Sequence, residues 1–373
     1  MHTALCDRFG IEYPIFVFTP SEKVAAAVTR AGGMGVLGCV RFNHADELES
    51  VLSWMDANTL GLPYGVDIVM PAKVPTEGTP VDIGKLIPQS HRDFVAKTLA
   101  DLGVPPLPDD GPGSEGVLGW LHSVARSHVD VALGHRISLI ANALGSPPPD
   151  VLDQAHTAGV PVAALAGTAA HARRHADSGV DIVVAQGYEA GGHTGEIASM
   201  VLVPEVVDAV GDTPVLAAGG IGTGRQVAAA LALGASGVWM GSAFLTAAEY
   251  DLGVRADSGA GLSAIQQALL AATSSDTVRR RIYSGKPARL LKSRWTDAWD
   301  AADAPEPLPM PLQNVLVAEA HQRMSQSQDP TAVAMPVGQI VGRMNEIRSA
   351  ADIIAELVSG FEAATRRLDD IRG

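Results

Sequence analysis

The chain has 373 residues, of which 47% are hydrophobic and 18% charged, with a formal net charge of −14. That length can bury a large core, as one big domain or as a barrel with a smaller lobe. The acidity and the lack of any basic block exclude phosphate-rich nucleic acid as a partner.

Cys6 and Cys39 are the two cysteines. Their number and spacing suit neither a disulfide framework nor a metal site, so a reducing, cytoplasmic setting is expected. Met1 to Arg8 has no basic stretch followed by an apolar run, and no apolar segment approaches the roughly 18 residues of a membrane helix. The expectation is an enzyme with neither signal peptide nor membrane span.

Eight short apolar runs, bounded by glycine or proline, follow one another along the chain. They are Pro14 to Phe18, Gly35 to Gly38, Pro63 to Val69, Ile137 to Ala143, Val160 to Gly167, Asp181 to Gly187, Thr213 to Gly220 and Gly237 to Phe244. Helical patterns separate them, among them Lys23 to Ala31, Pro149 to Ala158, Thr168 to Ser178 and Arg225 to Leu233. Strands alternating with helices imply parallel βαβ units, and eight such units imply an α/β fold of the (β/α)8 TIM-barrel kind.

Two stretches break this rhythm. Residues 70–135 follow the third strand and contain a Pro/Gly/Asp-rich passage from Val104 to Gly113. Within them a helix is expected after Ser90 as its cap, with Phe94, Val95, Leu99 and Leu102 on one face. Residues 246–335 also read as helical, interrupted near Pro305 to Pro311. Both insertions follow strands, so both should emerge at the C-terminal mouth as a lid or substrate lobe. The division expected is a barrel over 1–245, a helical lobe over 246–335, and C-terminal helices over 336–373 packing back on the barrel.

Chemistry in a TIM barrel sits at the C-terminal strand ends. The seventh strand runs into Gly219-Gly220-Ile221-Gly222-Thr223-Gly224 and then a helix, and the eighth ends in Trp239-Met240-Gly241-Ser242. Glycines there let backbone N–H groups approach an anion, and a helix N-terminus adds a favourable field. Gly220-Ile221-Gly222-Thr223-Gly224 does not have the G-x-G-x-x-G spacing, and no P-loop is present; Gly285-Lys286 continues to Pro287. The sixth strand ends in Ala185-Gln186-Gly187-Tyr188-Glu189-Ala190-Gly191-Gly192-His193-Thr194-Gly195. An imidazole among glycines at a strand tip suits the movement of a proton. Glu189 is expected to anchor this loop by accepting backbone N–H bonds, Cys39 to be a small buried hydrophobe, and His171 and His175 to face solvent. No spacing suggests a metal site.

The stretch from Ala185 to Gly195 resembles the signature of the nitronate monooxygenases, a group that also includes FMN-dependent enoyl reductases and NAD(P)H:quinone reductases. The resemblance extends to Pro14-Ile15-Phe16, Ala31 to Gly38, Pro63 to Asp67, Ala217 to Ile221 and Gly237 to Phe244. Ser284-Gly285-Lys286-Pro287-Ala288-Arg289 and Gly338-Gln339-x-x-Gly342 share it. It implies FMN across the barrel mouth, with Gln186, Gly191 and Gly192 beside the ring and ribityl chain. Gly219, Gly220, Gly241 and Ser242 would hold the phosphate, with Trp239 and Met240 alongside. Phe18, Thr19 and Pro20 would contribute backbone contacts, and His193 would be the catalytic base. Two positions depart from the family pattern: Val17-Phe18-Thr19-Pro20 replaces Gln-x-Pro-Met, and Asp67 stands where Asn is common; an ionised Asp67 only accepts, and would bind a flavin N–H or ribityl hydroxyl.

The resemblance implies oxidation of nitronates or nitroalkanes with O2 to a carbonyl compound and nitrite. An NAD(P)H-dependent reductase of quinones or enoyl thioesters would use the same site. A non-flavin phosphate-binding lyase or isomerase would need a further acid–base or Schiff-base group, and no lysine ends any expected strand. The partners expected are a small-molecule substrate and O2 or NAD(P)H; a homo-oligomer is compatible with the sequence.

Overall fold

Strands buried on both faces need continuous apolar runs, and those runs form the barrel. The computed structural model describes residues 1–70, 83–107, 122–252 and 262–373. Its first nine strands are β1 (Ile15–Thr19), β2 (Met34–Gly38), β3 (Tyr64–Asp67), β4 (Ile137–Asn142), β5 (Val162–Ala166), β6 (Ile182–Gln186), β7 (Gly192–His193), β8 (Val215–Ala218) and β9 (Gly237–Met240). All but β7 close a parallel barrel in the order β1-β2-β3-β4-β5-β6-β8-β9, and β9 pairs back onto β1. The eight apolar runs of the sequence are these eight strands.

Alternation along each strand sends side chains to two environments. Phe16, Met34, Val36, Leu139, Val184 and Trp239 fill the barrel interior. Their neighbours Val17, Leu37, Val66 and Val183 face the surrounding helices. Helix starts follow local chemistry: Ser21 accepts from Val24 N at 3.4 Å ahead of helix Glu22–Arg30, and Thr168 accepts from His171 N at 3.1 Å ahead of Ala169–Asp177. These caps satisfy donors that the first helical turn leaves unpaired.

The helix that completes the outer ring comes from the C-terminus. Ala350–Arg372 packs against helices Gly224–Ala232 and Glu22–Arg30. Gly224 makes that approach close, because a Cβ there would lie 2.1 Å from Phe361 N and 2.2 Å from Leu357 O. More than 100 residues therefore separate β9 from the helix that covers its side of the barrel.

The stretch 246–335, expected from its sequence to be helical, is not wholly so. Strands β10 (Thr277–Arg280) and β11 (Ala288–Leu291) form an antiparallel pair, and β11 pairs antiparallel with β7. Thr277-Val278-Arg279-Arg280 has no apolar alternation; distant pairing, rather than its own pattern, makes it a strand. The expected helix of the first insertion runs from Gln89 to Asp101 behind Pro88, so Ser90 lies inside it and does not cap it. The Pro/Gly/Asp-rich passage falls outside the described residues beyond position 107. Val95 and Leu99 from this helix join Ile282, Leu290, Trp295, Trp299 and Leu316 in one apolar cluster. Arg323 ties the two insertions together by donating to the carbonyls of Val104 at 2.7 Å and Pro105 at 2.8 Å.

Candidate active site

The loop from Gly187 to Ala198 carries the histidine, and three sets of contacts fix its path. Glu189 accepts from Ser199 N at 2.9 Å and from Ser199 Oγ at 2.9 Å, which anchors the loop to the start of helix Ser199–Val210. Gly187 permits this, since a Cβ there would lie 2.1 Å from Ser199 Oγ. From the other side, β11 sets His193 opposite Ala288 and Gly192 opposite Arg289.

Two arginines of the β10–β11 hairpin complete the clamp. The buried Arg289 donates to the Tyr188 carbonyl at 2.9 and 3.2 Å and to Thr277 Oγ1 at 3.1 Å, with its guanidinium 4.5 Å from the Tyr188 ring centre. Arg279 donates to Thr194 Oγ1 at 2.9 Å and to its carbonyl at 2.8 Å. The imidazole itself is partly buried, with Nε2 2.6 Å from Ser284 Oγ. Burial, with the Lys286 ammonium nearby, pushes the His193 pKa down to about 4, so the ring is neutral at physiological pH.

Beside this loop a cleft with about 750 Å³ of empty space opens at the barrel mouth. Its walls include Phe18 and Pro20 from the end of β1, Gln186 from β6, and Gly191 and Gly192 from the histidine loop. Gly219 and Gly220 line it after β8, and Trp239, Met240, Gly241 and Ser242 at the end of β9. Gly219 and Gly220 both adopt left-handed backbone, φ +101 and +70, which a residue with a Cβ reaches only at a cost. Their turn leads into helix Gly224–Ala232, whose first N–H groups suit an anion.

Thr19 and Asp67 stand apart from these walls. Thr19 is buried, and its Oγ1 accepts from Ser21 N at 3.2 Å. Asp67 ends β3, where Tyr64 and Val66 face outward and the alternation turns Asp67 to the barrel interior. Only 2% exposed, it has no hydrogen-bond partner among the described residues, and burial pushes its pKa up to about 7.

The charge state of Asp67 has a measurable consequence. An unfolded carboxyl titrates near 4, so between about pH 4 and 7 the folded chain holds a proton that the unfolded chain has lost. Stability therefore falls as pH rises through that window. Asp67→Asn is expected to raise the melting temperature of the cofactor-free protein at pH 8, by the equivalent of roughly 2–4 kcal/mol. The two proteins should converge near pH 4; thermal melts across this range test it.

Several site residues were not assigned from the sequence. Pro336, Gly338 and Ile340 line the cleft, and Gly338 N donates to Ser242 Oγ at 2.9 Å. Gln339 N donates to the Glu189 carbonyl at 2.9 Å, which draws this segment against the histidine loop. The Gly338-Gln339 pair was visible as a motif, but not its place. His175 is buried rather than solvent-facing; its ring meets Ser146 Oγ at 2.6 Å and the Leu165 carbonyl at 3.1 Å. Cys39 is fully buried, and burial pushes its thiol pKa up, as suits an inert side chain.

No group of metal-ligating side chains gathers among the described residues, and no described helix is long and apolar enough to cross a membrane.

Comparison with known proteins gives this geometry its family. The nitronate monooxygenase family model matches residues 2–360. A Mycobacterium tuberculosis protein named only as a monooxygenase is 49% identical, over 97% of this chain and 96% of its own. A Staphylococcus aureus protein carrying the name probable nitronate monooxygenase is 27% identical, over 90% of each chain. Among solved structures, nitroalkane oxidase from Streptomyces ansochromogenes superposes with a TM-score of 0.79 at 28% identity, covering 98% of this chain and 100% of that one. FabK from Thermotoga maritima superposes with a TM-score of 0.74 at 25% identity, covering 100% and 99%. The chain belongs to the nitronate monooxygenase family, and it is an oxidoreductase of that flavin-dependent group.

Proposed function

We propose that the protein is an FMN-dependent oxidoreductase that converts nitronates or nitroalkanes, with O2, to a carbonyl compound and nitrite. One observation carries the reading: the left-handed Gly219 and Gly220, in the turn before helix Gly224–Ala232, line the same cleft as Gly191 and Gly192, the residues that lead directly into His193. FMN, when bound, supplies the electron acceptor for the substrate and the reductant for oxygen. The donor set fits that group. Backbone N–H groups around Gly219, Gly220, Gly241 and Ser242 suit the phosphate, and Gln186 with Gly191 and Gly192 suits the polar edge of the ring and the ribityl chain. Asp67, at the tip of β3 and outside the cleft lining, would meet a cofactor N–H or hydroxyl only if the group reached past the cleft walls.

The remaining work belongs to the protein. Phe18, Trp239 and Met240 line the cleft with apolar surface, which would keep water from the reacting atoms once it is filled. His193 meets the reacting end of the substrate, as the base for a neutral nitroalkane or as the polar partner of a nitronate already formed in water. The lobe built from the two insertions stands over this side of the barrel and sets the size of the substrate admitted. A small-molecule substrate and O2 are the partners, in a cytoplasmic setting.

The test is an absorption spectrum. The purified protein should be yellow, with FMN released on denaturation, and a nitronate added without oxygen should bleach the flavin band. Rapid bleaching by NADH or NADPH instead would favour the reductase reading, and a colourless protein that takes up no FMN would sink both.

A further inference from the structure

The pair His193–Ser284 decides which nitrogen of the ring carries its proton. Nε2 lies 2.6 Å from Ser284 Oγ, and Nδ1 has no partner among the described residues, so Nδ1 is the atom left for a ligand. A neutral imidazole has one donor and one acceptor nitrogen, and a serine hydroxyl has one hydrogen and two lone pairs. Two arrangements therefore exist. If Nε2 donates to Ser284, Nδ1 presents a lone pair and the ring is a base. If Ser284 donates to Nε2, Nδ1 presents an N–H and the ring is a donor.

The surroundings of Ser284 favour the second. Ser284 is 2% exposed, so water does not readily take the hydrogen of its hydroxyl. One lone pair already faces Lys286 N at 3.4 Å. Among the described residues no carbonyl or carboxylate accepts from this hydroxyl, and Nε2 is the acceptor within reach. Turning the hydrogen elsewhere would leave a buried donor unsatisfied, at a cost of about 1–3 kcal/mol. Nor can the turn easily relax. Gly285 is left-handed, and a Cβ on it would lie 2.3 Å from Met310 N; its N–H donates to the Arg281 carbonyl at 2.8 Å, and Arg281 Nε donates to the Gly285 carbonyl at 2.9 Å.

We propose that Ser284 is a positioning residue that donates to Nε2 of His193, so that His193 meets its ligand as an Nδ1–H donor and serves a substrate that arrives as an anion. The anion preference rests on the function proposed above; the tautomer does not. The charge around the ring agrees with it. Lys286, two residues on, forms no ion pair among the described residues, and the buried Arg289 bonds only to neutral acceptors. The β10 arginines are paired, Arg279 with Glu196 at 2.6 Å and Arg280 with Asp300 at 2.7 Å, so the uncancelled charge on the histidine side is that of Lys286 and Arg289.

Nitrogen-15 NMR of the histidine-labelled holoenzyme tests the tautomer, with His193 assigned by its loss in His193→Gln. The expected result is a proton on Nδ1 in the native protein and in Ser284→Thr, and a shift toward Nε2–H in Ser284→Ala. With a preformed nitronate, kcat/KM should fall about 10- to 100-fold in Ser284→Ala, the worth of a hydrogen bond to a charged group, and recover in Ser284→Thr. A native protein with its proton on Nε2 overturns the proposal, as does a tautomer unchanged in Ser284→Ala. The native spectrum decides the tautomer even if Ser284→Ala fails to fold. A native Nδ1–H with no nitronate turnover would keep the positioning role and remove the anion preference, together with the function on which it rests.

Discussion

Replacing His193 with alanine should lower kcat/KM for a nitronate by about two to three orders of magnitude, the usual cost of losing a preorganised donor at developing charge. A lost general base would cost a similar factor, so the size of the loss identifies the residue and not its role. Flavin should stay bound, because the cleft walls do not depend on the ring. The pairing of His193 with Ala288 runs through the backbone, which alanine retains. What disappears is the contact to Ser284 Oγ, leaving a buried hydroxyl unsatisfied and lowering stability by about 1–3 kcal/mol. His175→Ala is the informative contrast. That ring is buried against Ser146 and the Leu165 carbonyl, away from the cleft walls, so its loss should lower the melting temperature and leave turnover of the folded fraction intact. Steady-state rates per bound flavin separate the two. Near-native turnover by His193→Ala would remove the residue from the chemistry.

The barrel was legible in the sequence because its strands are covered on both faces, and a run such as Ile182-Val183-Val184-Ala185 has few other ways to be buried. The mouth was legible for a related reason. Glycines at strand tips mark places where backbone must come close to something, and Gly187, Gly191 and Gly219 each face neighbouring atoms within 3 Å of where a Cβ would sit. The hairpin was not legible. Strand β10 is a partly exposed Thr-Val-Arg-Arg, and what holds it is β11, which in turn pairs with a two-residue strand nearly 100 positions earlier. Long-range pairing of this kind leaves no period in a local window. The same distance hid the partner of Ser284: its motif shared the family resemblance, but nothing local joined the hydroxyl to His193. His175 misled for the opposite reason. It sits on a polar helix whose exposed face suggested solvent, yet the helix turns this one ring inward to meet a strand carbonyl.

Gly191→Ala should cost the protein its flavin as well as stability. Its Cβ would lie 2.7 Å from Gly338 N, 2.7 Å from Val337 C and 2.8 Å from Val337 Cα. These are backbone atoms, which cannot rotate away as a side-chain tip can. Nor is the opposing segment free to retreat, since Gly338 N donates to Ser242 Oγ and Gln339 N to the Glu189 carbonyl, both at 2.9 Å. Gly338 is itself confined from the other side, with the Glu189 carbonyl 2.7 Å from where its own Cβ would be. Two chain segments meet with glycine on both faces, and an added methyl must break one of the two hydrogen bonds. Overpacking of this sort costs about 1–3 kcal/mol, and the absence of a flexible partner places this case at the upper end. Displacing residues 337–338 also drags Ser242, one of the proposed phosphate ligands, so flavin affinity should fall at least about tenfold, the equivalent of one ordinary hydrogen bond. Gly192→Ala separates space from backbone strain. Gly192 is left-handed at φ +72, but its Cβ would meet nothing closer than Pro336 Cβ at 4.0 Å, so it should lose about 1–2 kcal/mol of stability and keep most of its affinity. Gly179→Ala, left-handed in open space at the N-terminal end of β6, should show the strain alone. Flavin release followed by fluorescence, beside thermal melts of the three variants, would discriminate. Equal flavin retention in all three would mean that contact between the histidine loop and the 336–338 segment plays no part in holding the cofactor.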